Sequence, residues 1–198
     1  MRFIWTVAGD DPDYDNCRAH DINGLFAPMF DVLTTKGYLQ EFKAEGFKAW
    51  GLYVGHNWFP ALGPAALAAK VVKEYNRIAI PGTRLMMNLE QHDPGFIAFC
   101  LQEIRRTLPN VGLSWSPEGM QGGWMGDAFV ARITSLKVRV VPQAFTGPMV
   151  RRESDQILRD LLDRGFVPGQ ISIFYDAAQL GADWDGYAFT EGRLPRII

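Results

Sequence analysis

Short apolar runs alternate along this chain with longer segments of helical character, and that alternation limits its fold more than any other feature. The runs occupy residues 3–8, 48–54, 84–90, 111–115, 137–142, 170–175 and 186–190, and the apolar tail 194–198 can supply an eighth. Helical segments fall between them at 38–45 (closed by Gly46), 64–77, 94–107, 127–135 and 151–164 (ended by Gly165). Pro64 and Pro94 stand where proline is favoured, in the first turn of a helix. Ile157, Leu158, Leu161 and Leu162 recur at helical spacing. Residues 17–37 offer only the turn pairs Asn23-Gly24 and Lys36-Gly37.

Strand and helix thus repeat with a period of roughly 25 to 35 residues, and no hairpin pattern interrupts them, which predicts a parallel sheet with crossover helices. A small (β/α) barrel spanning residues 1–198 as one domain is the expected α/β architecture, with its last units compressed or missing. The alternative is an open doubly wound parallel sheet. Against that alternative, no glycine-rich phosphate loop follows the first run. The segment after Gly9 is Asp10-Asp-Pro-Asp-Tyr-Asp-Asn16, whose carboxylates would repel a phosphate.

In a parallel α/β protein, chemistry gathers outside the carboxyl ends of the strands. Polar residues collect at those ends here: Asp10, His56 and Asn57, Asn88 and Glu90, Glu118 and Gln121, Gln143, Asp176, and Asp185. The opposite connections carry mainly Lys48, Arg84, Lys137 and glycine or proline turns. Asn88 and Glu90 lie two apart, so on a strand they share one face, while Leu85, Met87 and Leu89 take the other. Trp58, Trp115, Trp124 and Trp184 fall in or beside the same connections, as ring-stacking surfaces or as apolar lids.

The bulk properties exclude several classes. With 198 residues, a net charge of −2 and 47% hydrophobic residues, the chain can bury a core and gives no electrostatic case for nucleic acid or anionic membrane. No run approaches the ~20 residues of a membrane span. The N-terminal run turns acidic at Asp10 too early for a signal peptide, so synthesis in a cytoplasm is expected. Cys17 and Cys100 match no metal or disulfide spacing, and Cys100 is expected as a buried thiol. Glu90, His92 and His56 could form a three-ligand metal site, but the spacing is not specific, and neither metal nor cofactor is assigned.

Paired carboxylates are what glycoside hydrolysis requires, one as general acid and the other as nucleophile or base. Glu90, Glu118 and Asp176 form the available pool. Asn88, Gln143, His56, Asn57, Gln121, Trp115, Trp124, Trp184 and Asp10 are the candidate sugar-binding residues around them.

Two resemblances bear on that chemistry. Leu85-Met-Met-Asn-Leu-Glu90, preceded by Gly51-Leu-Tyr-Val-Gly55, resembles glycoside-hydrolase-like (β/α) barrels of the phage and bacterial muramidase type. There a strand ends in Asp-x-Glu with the glutamate as catalytic acid, which implies that role for Glu90. The aspartate position holds Asn88, and an amide can be neither base nor nucleophile. Either Asp10, Glu118 or Asp176 supplies the second carboxylate, or the barrel holds a glycan without cleaving it. Three stretches are similar to a group of actinobacteriophage proteins encoded among minor tail genes. They are Ser114-Trp-Ser-Pro-Glu-Gly-Met-Gln-Gly-Gly-Trp124, Val140-Val-Pro-Gln143, and Phe174-Tyr-Asp-Ala177 with Asp185-Gly-Tyr-Ala-Phe-Thr190. That likeness implies a cell-wall or surface polysaccharide as partner, a place in the virion tail, and other tail proteins as neighbours, and it leaves open a purely structural virion domain whose rim contacts neighbouring subunits.

Overall fold

Eight strands form one sheet in the computed structural model, which describes residues 2–5, 14–19, 22–29, 32–55, 61–89, 93–117, 126–142, 159–172, 174–176 and 187–190. In chain order the elements are β1 (Arg2–Trp5), α1 (Tyr14–Ala19), β2 (Ile22–Pro28), α2 (Val32–Ala44), β3 (Ala49–Val54), α3 (Pro64–Ile78) and β4 (Arg84–Asn88). Then come α4 (Pro94–Thr107), β5 (Leu113–Ser116), α5 (Asp127–Ser135), β6 (Arg139–Val140), a 3-10 turn at Pro168–Gln170, β7 (Phe174–Asp176) and β8 (Tyr187–Thr190).

The strand order is β6-β5-β4-β3-β2-β1-β8-β7, with β1 to β6 parallel in sequence order. Laid flat, eight strands would hold the outermost two about 34 Å apart at ~4.8 Å per step. Yet Ile171 makes a parallel bridge to Val140 of β6, and the Ser172 amide donates to the Val140 carbonyl at 2.9 Å. Three residues later Phe174 pairs with Phe189 of β8, at the other end of the order. Three residues span at most ~11 Å. The two ends of the sheet are therefore neighbours, and the sheet is closed into a small barrel.

Two expectations need correction. A strand at Ile22–Pro28, β2, was not among the expected ones, and β8 runs antiparallel to both β1 and β7. Only the segment 177–186 separates β7 from β8, too short for a crossover helix, so β8 returns as a hairpin would. The tail 194–198 lies outside the described residues.

Side chains alternate between the two sides of this wall. Leu25, Ala27, Leu52, Val54, Leu85, Met87, Leu89, Leu113, Trp115, Val138 and Val140 join one apolar cluster with the helices. Phe26, Tyr53, Met86 and Val141 are equally buried but lie outside that cluster, at the opposite strand parity, and so fill the barrel interior. Gly51 is part of that packing. A Cβ there would overlap the Phe26 ring, with Cδ1 only 2.6 Å away, so the absence of a side chain on β3 makes room for the aromatic ring on β2.

The helices form for local reasons. Leu67, Ala68, Val71, Glu74 and Ile78 are the buried positions of α3 and trace one helical face. Asp93 caps α4, its carboxylate accepting from the Phe96 amide at 3.0 Å. Gly126 is the N-cap of α5, and Asp127 sits in the first turn where a negative charge suits the helix dipole.

In the last turn of α4, Arg105 ties two connections together. Its Nε donates to the Leu136 carbonyl at 2.9 Å, and its Nη1 to the carbonyls of Pro109 (2.9 Å) and Val111 (2.7 Å). Cys17 and Cys100 are free and buried. Burial pushes the Cys100 thiol up to about 12, which makes it a packing residue and not a nucleophile. Among the described residues no helix is long and apolar enough to cross a membrane.

Candidate functional site at the C-terminal end of the barrel

Inside the barrel, polarity changes along the strands. The middle is apolar, with Phe26, Tyr53 and Met86. Toward the carboxyl ends of β4 and β5 the inward positions become Asn88 and Ser116, paired across the ladder and 7% and 0% exposed. Leu89 turns back to the helix side and is 1% exposed. The alternation expected for this strand therefore holds from Leu85 to Leu89, with the apolar side chains against the helices and Asn88 inward. A buried amide thus lies beside a buried hydroxyl at this end of the barrel.

Asp176 ends β7, its backbone paired with Tyr187. Because β7 is antiparallel to β8 and β8 to β1, β7 points the same way as β1 to β6. The backbone of Asp176 thus lies at the same end of the barrel as Asn88 and Ser116.

Trp115 is placed differently from the expectation. It points away from the interior, is 0% exposed, and meets Phe129 of α5 edge-on with ring centroids 5.4 Å apart. It is a core residue of the sheet–helix layer, and no sugar can stack on it there. Its strand parity carried that information, since Ser114 and Ser116 occupy the alternate positions. Ser116 itself was not singled out in the sequence, because one serine beside a glycine-rich segment looks like any loop residue.

Glu90, Glu118, Gln121, Trp124, Gln143, His56, Asn57, Trp184, Asp10 and His92 lie outside the described residues, as does Trp58. Among the described residues no group of three or more His, Cys, Asp or Glu side chains could hold a metal ion.

No family model matches the chain, and no curated protein matches it in sequence. Among solved structures it is similar to the crystal structure of a "putative alpha-L-fucosidase" from Bacteroides thetaiotaomicron VPI-5482, with a TM-score of 0.39 and 11% identity. The match covers 82% of this chain and 80% of that one. At that level of likeness, function has to be argued from this chain's own residues.

Proposed function

We propose that the barrel acts on a cell-wall or surface glycan at its C-terminal mouth, hydrolysing a glycosidic bond with Glu90 as the general acid. Asp176 or Glu118 serves as nucleophile, base or electrostatic stabiliser, and Asn88 orients the sugar. The observation that carries this reading is the inward parity of β4. Asn88 is buried in the barrel interior beside Ser116, and Glu90 follows it by two residues. A second observation supports the reading. The N-cap of α4 is already filled by Asp93, so that helix does not need a carboxylate from Glu90 to cap it.

The buried amide supports a second reading, in which the mouth binds the glycan and leaves it intact. Asn88 supplies hydrogen bonds but no negative charge for an oxocarbenium-like transition state. In either case the virion is the proposed site of action, on the resemblance of the stretches 114–124, 140–143 and 174–190 to phage tail-associated proteins.

Cell-wall fragments incubated with the purified chain distinguish the readings. Release of reducing ends that disappears in Glu90→Gln supports hydrolysis. Retention of the polysaccharide without release, lost on replacing Trp124 or Trp184, supports the binding module. No release and no retention sinks both.

A further inference from the structure

The opposite end of the barrel holds a cavity of about 700 Å3 between the connections that lead into β4, β5 and β6. Four cationic side chains line it: Arg84, Arg105, Lys137 and Arg139. No Asp or Glu occurs among its described lining residues. The whole chain carries a net charge of −2, so this concentration of positive charge runs against the sign of the molecule and is not a by-product of general basicity. Arg84 and Arg139 are the first residues of their strands and have inward parity, so they face the barrel's lower interior. Arg139 donates to the Ser172 hydroxyl at 3.3 Å. Arg105 spends its donors on backbone carbonyls, which satisfy hydrogen bonds but do not neutralise charge, and burial pushes its guanidinium below the usual value.

Lys137 supplies an independent observation. Three of the described helical segments end in the same pair of hydrogen bonds. After α2, the Gly46 amide donates to the Lys43 carbonyl and the Phe47 amide to Phe42. After 159–163, Gly165 donates to Leu162 and Phe166 to Leu161. After α5, Lys137 donates to Thr134 and Val138 to Ile133. This closure requires a left-handed residue, and glycine fills it twice, at φ 81° and 96°. The third time a lysine holds φ 52°, the one described non-glycine residue at positive φ. A side chain there is strained relative to glycine, and this strained residue is one of the four cations that line the cavity. Backbone strain retained beside a concave, charged site points to a ligand.

We propose that this cavity binds a small polyvalent oxyanion, a molecule carrying two or more negative charges on phosphoryl or carboxylate groups. Guanidinium forks match both groups bidentately, and the volume suits a small molecule and not a polymer. The site lies at the far end of the barrel from the glycan-directed mouth and does not depend on that activity.

Calorimetric titration of the full chain with pyrophosphate, and separately with citrate, at constant ionic strength tests the proposal. Saturable binding of either anion is expected, and the preferred one tells phosphoryl from carboxylate ligands. Lys137→Gly should raise the melting temperature by about 3 °C while weakening the anion roughly tenfold. Arg139→Gln should weaken it by a similar factor. Absence of saturable binding by both anions overturns the proposal. So does a Lys137→Gly variant that gains stability and keeps its affinity.

Discussion

The two ends of the barrel are built differently. At the N-terminal end the connections are short and tied down. Residues 79–83 are held by the Tyr75 hydroxyl donating to the Thr83 carbonyl at 2.5 Å, and 108–112 and 136–138 are joined through Arg105. At the C-terminal end two of the strands run into longer segments, 55–63 after β3 and 117–126 after β5, the second of which carries Glu118. Arg84 and Arg139 open β4 and β6, and Asp176 closes β7. The contacts that tie connections down thus gather at one end and the candidate site at the other, with a packed interior separating them. A substitution at one end should therefore leave the other end's property intact.

Glu90→Gln gives the strongest test of that division. If the barrel is a hydrolase, loss of the general acid should reduce turnover about a thousandfold, roughly 4 kcal/mol. The urea midpoint should stay unchanged, since α4 keeps its Asp93 cap. A large fall in stability would show that the two ends are not separable. Next in size is Gly51→Ala, inside the wall that both ends share. The new methyl group meets the Phe26 ring, and a loss of about 3 kcal/mol is expected in equilibrium unfolding. Pairing it with Phe26→Leu should recover part of that loss, and failure to recover would mean the contact is not the cause.

Arg105→Ala should cost about 2 kcal/mol by leaving buried carbonyls without donors, and amide exchange should accelerate at 108–112 and 136–138 while Asn88 and Ser116 stay protected. Glu74→Gln is the smallest. The Lys70 hydrogen bond, with Arg77 and Lys73 nearby, holds the Glu74 carboxyl below its ordinary value of 4.5. A depressed carboxylate stabilises the fold above its unfolded value and loses that contribution as pH falls through the lower folded value. The variant should be weaker than the parent by less than about 1 kcal/mol at pH 7, and thermal unfolding curves of the two should converge below pH 4.

Much of this architecture could be read from residue order. The boundaries of α3 and α4 were legible because a proline opens each and the buried positions recur at helical spacing. The side of β4 that faces the helices was legible because Leu85, Met87 and Leu89 alternate with Asn88. The strand β2 was not, because Asn23-Gly24 looks like a turn when nothing shows that it continues into a ladder with β1 and β3. Likewise Gly37 lies within α2, exposed, where helix packing overrides a local preference against glycine. The reversed direction of β8 was hidden because orientation depends on what the strand pairs with, not on its composition. For the site, Asn88 was placed correctly on its inward face, whereas Trp115 was drawn toward the rim by the glycines that follow it. The basic cavity was missed because Arg84, Arg105, Lys137 and Arg139 are scattered over 56 positions and meet only when three connections fold side by side.

The stretch from Ile171 to Asp176 closes the ring by touching β6 at one end and β8 at the other. Were that stretch to detach, β6 and β8 would each present a row of unsatisfied amides and carbonyls, which are templates for pairing with another molecule. Six residues near the end of the chain thus stand between a self-contained ring and one able to associate edge to edge. Conditions that loosen this seam should be seen first as aggregation, before any loss of helix.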